Sequence, residues 1–113
     1  MTDIYRNGLL YELRAARFLK THGYRLLARR YRAQGGEIDL IALDGDVLVF
    51  IEVKARPRMM LGAGIGAVDT DKRRRLKKAA ECYIAKSGKP DRFCRFDILE
   101  FTRAGIRHMK NAF

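Results

Sequence analysis

The stretch GEIDLIALDGDVLVFIEVKAR, from Gly36 to Arg56, decides the fold of this chain. Glu37 to Leu43 alternates as a strand, Asp44-Gly45-Asp46 turns the chain, and Val47 to Ala55 continues as a second, largely apolar and β-branched strand. Asp39, Glu52 and Lys54 stand inside these runs. A charge buried without a partner or a metal is strongly unfavourable, so charges written into a strand pattern ask for a chemical reason. Two acids and a lysine converging on one spot point to metal-dependent chemistry.

Side chains alternate across a strand, so Glu37, Asp39, Ile41 and Leu43 share one face, and Leu48, Phe50, Glu52 and Lys54 share one face of the next strand. The turn decides whether the two faces coincide. A two-residue loop at Asp44-Gly45 sets Asp39 opposite Phe50 and Glu37 opposite Glu52; a four-residue loop sets Asp39 opposite Glu52. Either even loop brings the charged groups to one side, and a three-residue loop separates Asp39 from Glu52. Carboxylates facing each other across strands at roughly 5 Å repel unless a cation lies between them. Hard oxygen donors of this kind suit Mg2+ or Mn2+.

Outward from this hairpin, Thr2 can cap a helix over Asp3 to His22 that Gly23 stops, and Tyr24 to Tyr31 reads as the strand before the Gln34-Gly35-Gly36 turn. Pro57 ends the strand pairing, and the glycines at 62, 64 and 66 make Arg58 to Gly66 a mobile loop. Asp69 or Thr70 caps a second helix running to about Ser87, with Leu76, Ala79, Ala80, Tyr83 and Ile84 as its apolar stripe. Phe93 to Thr102 is a fourth strand, and Ile106 to Phe113 a short fifth after the Ala104-Gly105 turn. The order of elements predicts an α/β fold in a single domain spanning residues 1–113.

Lys and Arg number 24 against 13 Asp and Glu, a formal charge of +11, which favours a polyanionic partner, nucleic acid first among them. Sixteen of these cations are arginine, the residue that grips phosphate in a bidentate fork. Cys82 and Cys94 are too few for a zinc site or a disulfide framework and read as reduced core or flank residues. The charged amino terminus and the lack of a spanning apolar run lead us to expect no secretory leader, no membrane partner and a cytoplasmic location.

Glu12 adds a third carboxylate. Its helical neighbours are Gly8, Leu9, Ala15, Ala16 and Leu19, so it lies on the apolar stripe, either paired to an arginine or aimed at a buried site. Lys54 shares a face with Glu52 one step nearer the strand end; it either pairs with Glu37 or Glu52, or orients a water and stabilises charge growing on phosphorus.

An acid, a gap of twelve residues, then Glu-x-Lys at the end of an apolar strand resembles the PD-(D/E)xK nuclease superfamily. GEIDLIA, LVFIEVKAR, Ala67-Val68 leading to Lys72, and Arg95-Phe96-Asp97 together resemble the YraN family of small bacterial proteins, which in turn are similar to archaeal Holliday-junction resolvases. The resemblance covers nearly the whole chain. It implies a restriction-endonuclease-like fold, a mixed sheet of four to five strands flanked by two main helices. It implies Asp39 and Glu52 as ligands of Mg2+ or Mn2+, with the Val53 carbonyl and Glu12 as further ligands, Lys54 as the catalytic lysine, and Glu37 as a motif position. Tyr11 departs from the glycine that similar proteins usually place before the helical acid.

For the nucleic-acid surface, Lys72, Arg73, Arg74 and Arg75, followed by Lys77 and Lys78, gather cations at the start of the second helix, and Arg56 and Arg58 follow Lys54 where a substrate strand would leave. His22 and His108 lie outside the cluster and read as surface or capping positions; Tyr24, Tyr31 and Phe93 read as core aromatics. The reading that joins these signals is a metal-dependent endonuclease acting on DNA ahead of RNA, branched DNA included, and working as a homodimer by analogy with resolvases. Its rivals are a non-catalytic nucleic-acid-binding protein that retains the nuclease fold and an RNA-associated structural factor.

Overall fold

The computed structural model describes residues 3–56, 70–89 and 91–113. Helix α1 (Asp3–Thr21) leads into strands β1 (Arg25–Ala33), β2 (Gly36–Asp44) and β3 (Val47–Arg56); helix α2 (Thr70–Ser87) then precedes β4 (Cys94–Thr102) and β5 (Gly105–Met109). The five strands form one sheet in sequence order, antiparallel throughout except for the parallel pair β3 and β4. A parallel pair needs a crossover, and α2 lies in the segment that makes it. This is the expected α/β class, a mixed five-stranded sheet with two helices, compatible with a restriction-endonuclease-like fold. The Thr2 cap, the Asp69 cap, Pro57, Arg58 and the glycine-rich loop lie outside the described residues.

The two helices cover opposite faces of the sheet. Ala15, Ala16 and Leu19 of α1 pack with Leu40, Ala42, Val49, Ile51, Leu99 and Phe101, whereas Leu76, Ala79 and Ala80 of α2 pack with Ile38, Ile41, Leu48 and Phe50. Both stripes are the helical-period ones that the sequence carries. Gly23, at φ +86°, ends α1 in the left-handed conformation that suits glycine, and the Tyr24 amide returns to the Leu19 carbonyl at 2.9 Å.

Gly36, which opens the GEID motif, is required by the approach of α2. A Cβ built on it would lie on the Arg75 carbonyl, 2.8 Å from the carbonyl carbon and 3.4 Å from the Ala79 Cβ. Only a residue without a side chain lets the helix backbone rest on β2 here.

Candidate active site

The hairpin between β2 and β3 closes at the Asp44–Val47 pair, leaving Gly45 and Asp46 as a two-residue loop with Gly45 at φ +61°. The loop is even, as the shared-face expectation requires. Leu43 pairs with Leu48, the register that continues to Asp39 opposite Glu52, but the ladder stops at Leu40–Ile51. Beyond that point the Val53 amide donates to Asp39 Oδ2 at 2.8 Å, so the carboxylate fills the place where the two strands part.

Alternation also breaks here. Ile38 and Ile41, three residues apart, both pack on the α2 side, while Leu40 and Ala42 face α1. In the adjoining strand Ala28 and Tyr31, again three apart, both pack on the α2 side. Between them Arg30 sits at φ +53°, a left-handed conformation in mid-strand, at the point where the β1–β2 register passes from Arg29–Leu40 to Tyr31–Ile38. A non-glycine residue there is strained by about 1–3 kcal/mol, and such strain gathers at functional sites. The sequence expectation that Glu37, Asp39, Ile41 and Leu43 share one face therefore holds for Ile41 and Leu43 only. Glu37 and Asp39 instead line a cavity of about 310 Å³ with Tyr11, Glu12, Arg30, Arg32 and Val53.

Within this cavity Glu12 is buried and accepts from Arg30 Nε through both carboxylate oxygens, at 3.1 and 3.0 Å. Of the two readings of Glu12, the pairing to an arginine is the one the structure displays, and the paired carboxylate lines the cavity. Tyr11, which stands where similar proteins usually have glycine, packs its ring 5.4 Å from that of Phe101 in β4 and 5.3 Å from the Arg14 guanidinium, centroid distances in both cases. Glu37 is exposed and pairs across the strands with Arg32 at 3.5 Å, an interaction of little energetic weight.

Asp39 is half-buried as a residue, but its carboxyl lies deep enough for burial to push its pKa up to about 7. The Glu52 charge adds to this rise, the Val53 amide opposes it, Glu12 adds further, and Lys72 opposes. The charges of Glu52 and Glu12 thus both act on the Asp39 carboxyl.

Glu52 is buried and does not line the cavity. Its Oε1 lies 2.5 Å from Lys72 Nζ and 3.6 Å from Lys54 Nζ. Burial lowers the Lys72 pKa, but the hydrogen bond and charge of Glu52 outweigh it, so the net shift is upward. Lys72 thus turns inward to the acid, although its sequence context groups it with the phosphate-facing cations. Glu100, fully buried in β4, stands in register with Lys54 on the neighbouring strand. The sequence reading passed over it, yet an acid within DILEF carries the same signal as Asp39 and Glu52.

Asp39, Glu52 and Glu12 are hard oxygen donors, right in chemistry for Mg2+ or Mn2+. Their placement is a different matter. Among the described residues no three His, Cys, Asp or Glu side chains come together to hold one ion, because Glu12 is drawn to Arg30 and Glu52 to the two lysines.

Of the other expected surface residues, Arg73 stacks 5.6 Å from the Phe113 ring centroid, Arg74 pairs with Asp71, and Arg73, Arg74 and Arg75 are all exposed. Arg56 ends β3. Phe93 is 81% exposed, which corrects its reading as a core aromatic: it precedes β4, where its carbonyl accepts from the Leu48 amide while its ring faces outward. Tyr24 is buried and Tyr31 half-buried, as expected.

His108 is likewise no surface or capping residue. Its Nε2 lies 2.7 Å from Oδ2 of the fully buried Asp97, which also takes Arg95 Nε at 2.9 Å, Arg95 Nη2 at 3.0 Å and the Asn111 amide at 2.9 Å. Burial raises the Asp97 pKa, but His108, Arg95 and the Asn111 amide together hold it below the ordinary carboxylate value. Arg95 extends the network to Asp44 at 3.1 Å and Tyr24 Oη at 2.9 Å, tying β4 and β5 to the hairpin that carries Asp39.

The model of uncharacterised protein family UPF0102, the YraN family, matches residues 11–101, a span that holds the whole of this site. The chain belongs to this family. A UPF0102 protein of Symbiobacterium thermophilum is 45% identical over 113 residues, covering 96% of both chains. Others from Moorella thermoacetica, 40% identical over 96% of this chain and 95% of its own, and Geobacter metallireducens, 41% identical over 88% and 84%, are similar to it. The matched span contains Glu12, Asp39, Glu52, Lys54 and Lys72, and so every acid and lysine of the UPF0102 site described above. Among the described residues no helix is long and apolar enough to cross a membrane.

Proposed function

We propose that this UPF0102 protein is a divalent-cation-dependent endonuclease acting on phosphodiesters of DNA, ahead of RNA, in the cytoplasm. The observation that carries the reading is the Asp39 carboxyl, raised to about 7 at the wall of an open cavity that Glu12 also lines, and acted on by the charge of Glu52, which is itself held by Lys54 and Lys72. The surroundings of Asp97 lower its pKa, whereas burial and two neighbouring acids keep that of Asp39 high, and a raised carboxyl at the wall of a cavity supports a chemical role. The formal charge of +11 supports a polyanionic substrate.

When bound, Mg2+ or Mn2+ would supply neutralisation of the acids and activation of a water. The residues of the chain contribute the rest. Asp39 is oriented by the Val53 amide, Glu12 by Arg30, and Lys54, with its ammonium mostly shielded from solvent, is poised to stabilise charge growing on the phosphate. Arg73, Arg74 and Arg75 offer exposed cations to the backbone phosphates. A homodimer would give two such sites for the two strands of a branched substrate.

One observation favours a second reading, a nucleic-acid-binding protein that does not cut: Glu12 and Glu52 are already neutralised by Arg30, Lys54 and Lys72. Calorimetric titration of Mn2+, followed by cleavage assays on four-way, flapped and linear DNA, separates the two. The endonuclease reading expects Mn2+ binding that Asp39→Ala abolishes while DNA binding persists, and cleavage that Lys54→Ala abolishes. Metal binding without cleavage of any substrate favours the binder, and affinity for RNA with no metal binding rejects the nuclease.

A further inference from the structure

Between α1 and the β4–β5 side of the sheet lies a groove of about 500 Å³, to which Tyr11, Arg14, Arg17, Phe18, Phe101 and Ile106 contribute and, among the described residues, no Asp or Glu. Arg14 and Arg17 are exposed and stand one helical turn apart on α1; Ile106 of β5 is 45% exposed. An apolar floor under a cationic rim is the make-up of a ligand site and not of a core.

Tyr11 links this groove to the candidate site. It lines the groove and also, with Glu12, Arg30 and Asp39, the cavity described above, so the two spaces meet at one ring. That ring packs 5.4 Å from Phe101 and carries the Arg14 guanidinium 5.3 Å from its centroid. An aromatic surface and a cation are thus offered together.

We propose that the groove binds an unpaired nucleic-acid strand leaving the cavity, its bases against Tyr11 and Ile106 and its phosphates on Arg14 and Arg17. The inference rests on the nucleic-acid reading above and narrows the substrate to one that carries a single-stranded arm. In a duplex the faces of the bases are stacked on one another and only their edges are open, so an aromatic groove has little to hold; an unpaired strand offers base faces and phosphates at once. The formal charge of +11 and the acid-free lining set the sign of the occupant. An acidic peptide would match the charge equally, but the shared Tyr11 favours the polymer that the cavity itself would take. Arg73, Arg74 and Arg75 belong to the helix on the opposite face of the sheet, so contacts made there leave this groove to the arm.

The test is fluorescence anisotropy in EDTA with a labelled oligothymidylate, an abasic strand of the same length and a blunt duplex, for wild type, Tyr11→Leu, Ile106→Glu and the double variant Arg14→Gln with Arg17→Gln, each checked by thermal melting. Wild type is expected to hold oligothymidylate about tenfold or more tightly than the abasic strand, the share owed to stacking. Tyr11→Leu, which keeps the wall apolar, is expected to lose about fivefold to a hundredfold on oligothymidylate and little on the other two probes, whereas a merely structural loss weakens all three alike. The arginine variant should lower the slope of log affinity against log salt for both single strands by about 0.7 for each phosphate no longer neutralised. Should Tyr11→Leu not fold, Ile106→Glu, at an exposed position, is expected to weaken both single strands and spare the duplex. Equal affinity of wild type for the two single strands, or substitutions that cost nothing or cost the same on every probe, overturns this proposal and leaves the groove to an acidic peptide. With metal removed, that result leaves the endonuclease reading standing; a wild type that binds none of the three probes overturns both.

Discussion

Arg30 offers a test in which the ordinary rule for strands changes sign. In a regular strand interior, alanine is more stable than glycine by about 0.5–1 kcal/mol, because glycine loses more backbone freedom on folding. Arg30 is in mid-strand but at φ +53°, and a side chain in the left-handed region costs roughly 1–2 kcal/mol that glycine avoids. Arg30→Ala and Arg30→Gly both remove the ion pair to Glu12, so that effect cancels from their difference. Subtracting the entropic cost from the strain leaves Arg30→Gly more stable than Arg30→Ala by about 0.7 kcal/mol, and by at most about 1.5 kcal/mol. Arg30→Asn should also exceed Arg30→Ala, since asparagine tolerates this conformation. Urea unfolding at fixed pH, with equal slopes for the variants, measures the difference directly. If Arg30→Ala proves as stable as Arg30→Gly or more so, the left-handed backbone is not the native one, and the break in alternation that brings Asp39 to Glu12 loses its explanation.

Gly36→Ala should cost about 1–3 kcal/mol, since the added methyl meets the Arg75 backbone and not a movable side-chain tip; a thermal melt unchanged from wild type would contradict the close approach of α2. Asp97→Ala should cost about 3–5 kcal/mol by leaving Arg95 and His108 without their shared buried acceptor, and chemical denaturation checks it. The folded pKa of Asp97 lies below its ordinary value of 3.8, so its contribution to stability is complete above that pH and fades as the pH falls through the folded value. Wild type should therefore lose stability on acidification more steeply than Asp97→Asn, and parallel acid limbs would refute the assignment. Reversing the charges of Arg73, Arg74 and Arg75 should weaken DNA binding and reduce the slope of log affinity against log salt by about 0.9 for each phosphate no longer neutralised. An unchanged slope would remove these residues from the interface.

Much of the site was legible because it is written in local terms. The turn around Gly45 made an even loop legible, but which even register forms was not: the structure closes the hairpin at Asp44–Val47, and the ladder ends at Leu40–Ile51, before Asp39. Glu12 was legible as an acid on an apolar helical stripe. Glu100 could have been found by the same signal. Other features have no local signature. Phe93 is apolar and adjoins a strand, yet its ring points outward; His108 becomes a partner of Asp97 only because β5 returns beside β4.

The sequence by itself determined the family, the order of helices and strands, and the residues that carry charge into the sheet, since periodicity, glycine placement and charge pattern act over a few residues. Tertiary structure alone decided which way those charges turn. The left-handed Arg30 breaks alternation and sends Asp39 toward Glu12, and Gly36 lets α2 settle close to the sheet, from where Lys72 reaches Glu52. Both depend on interactions between segments far apart in the chain, where packing distance and the pairing of buried charges outweigh any preference of the residues themselves.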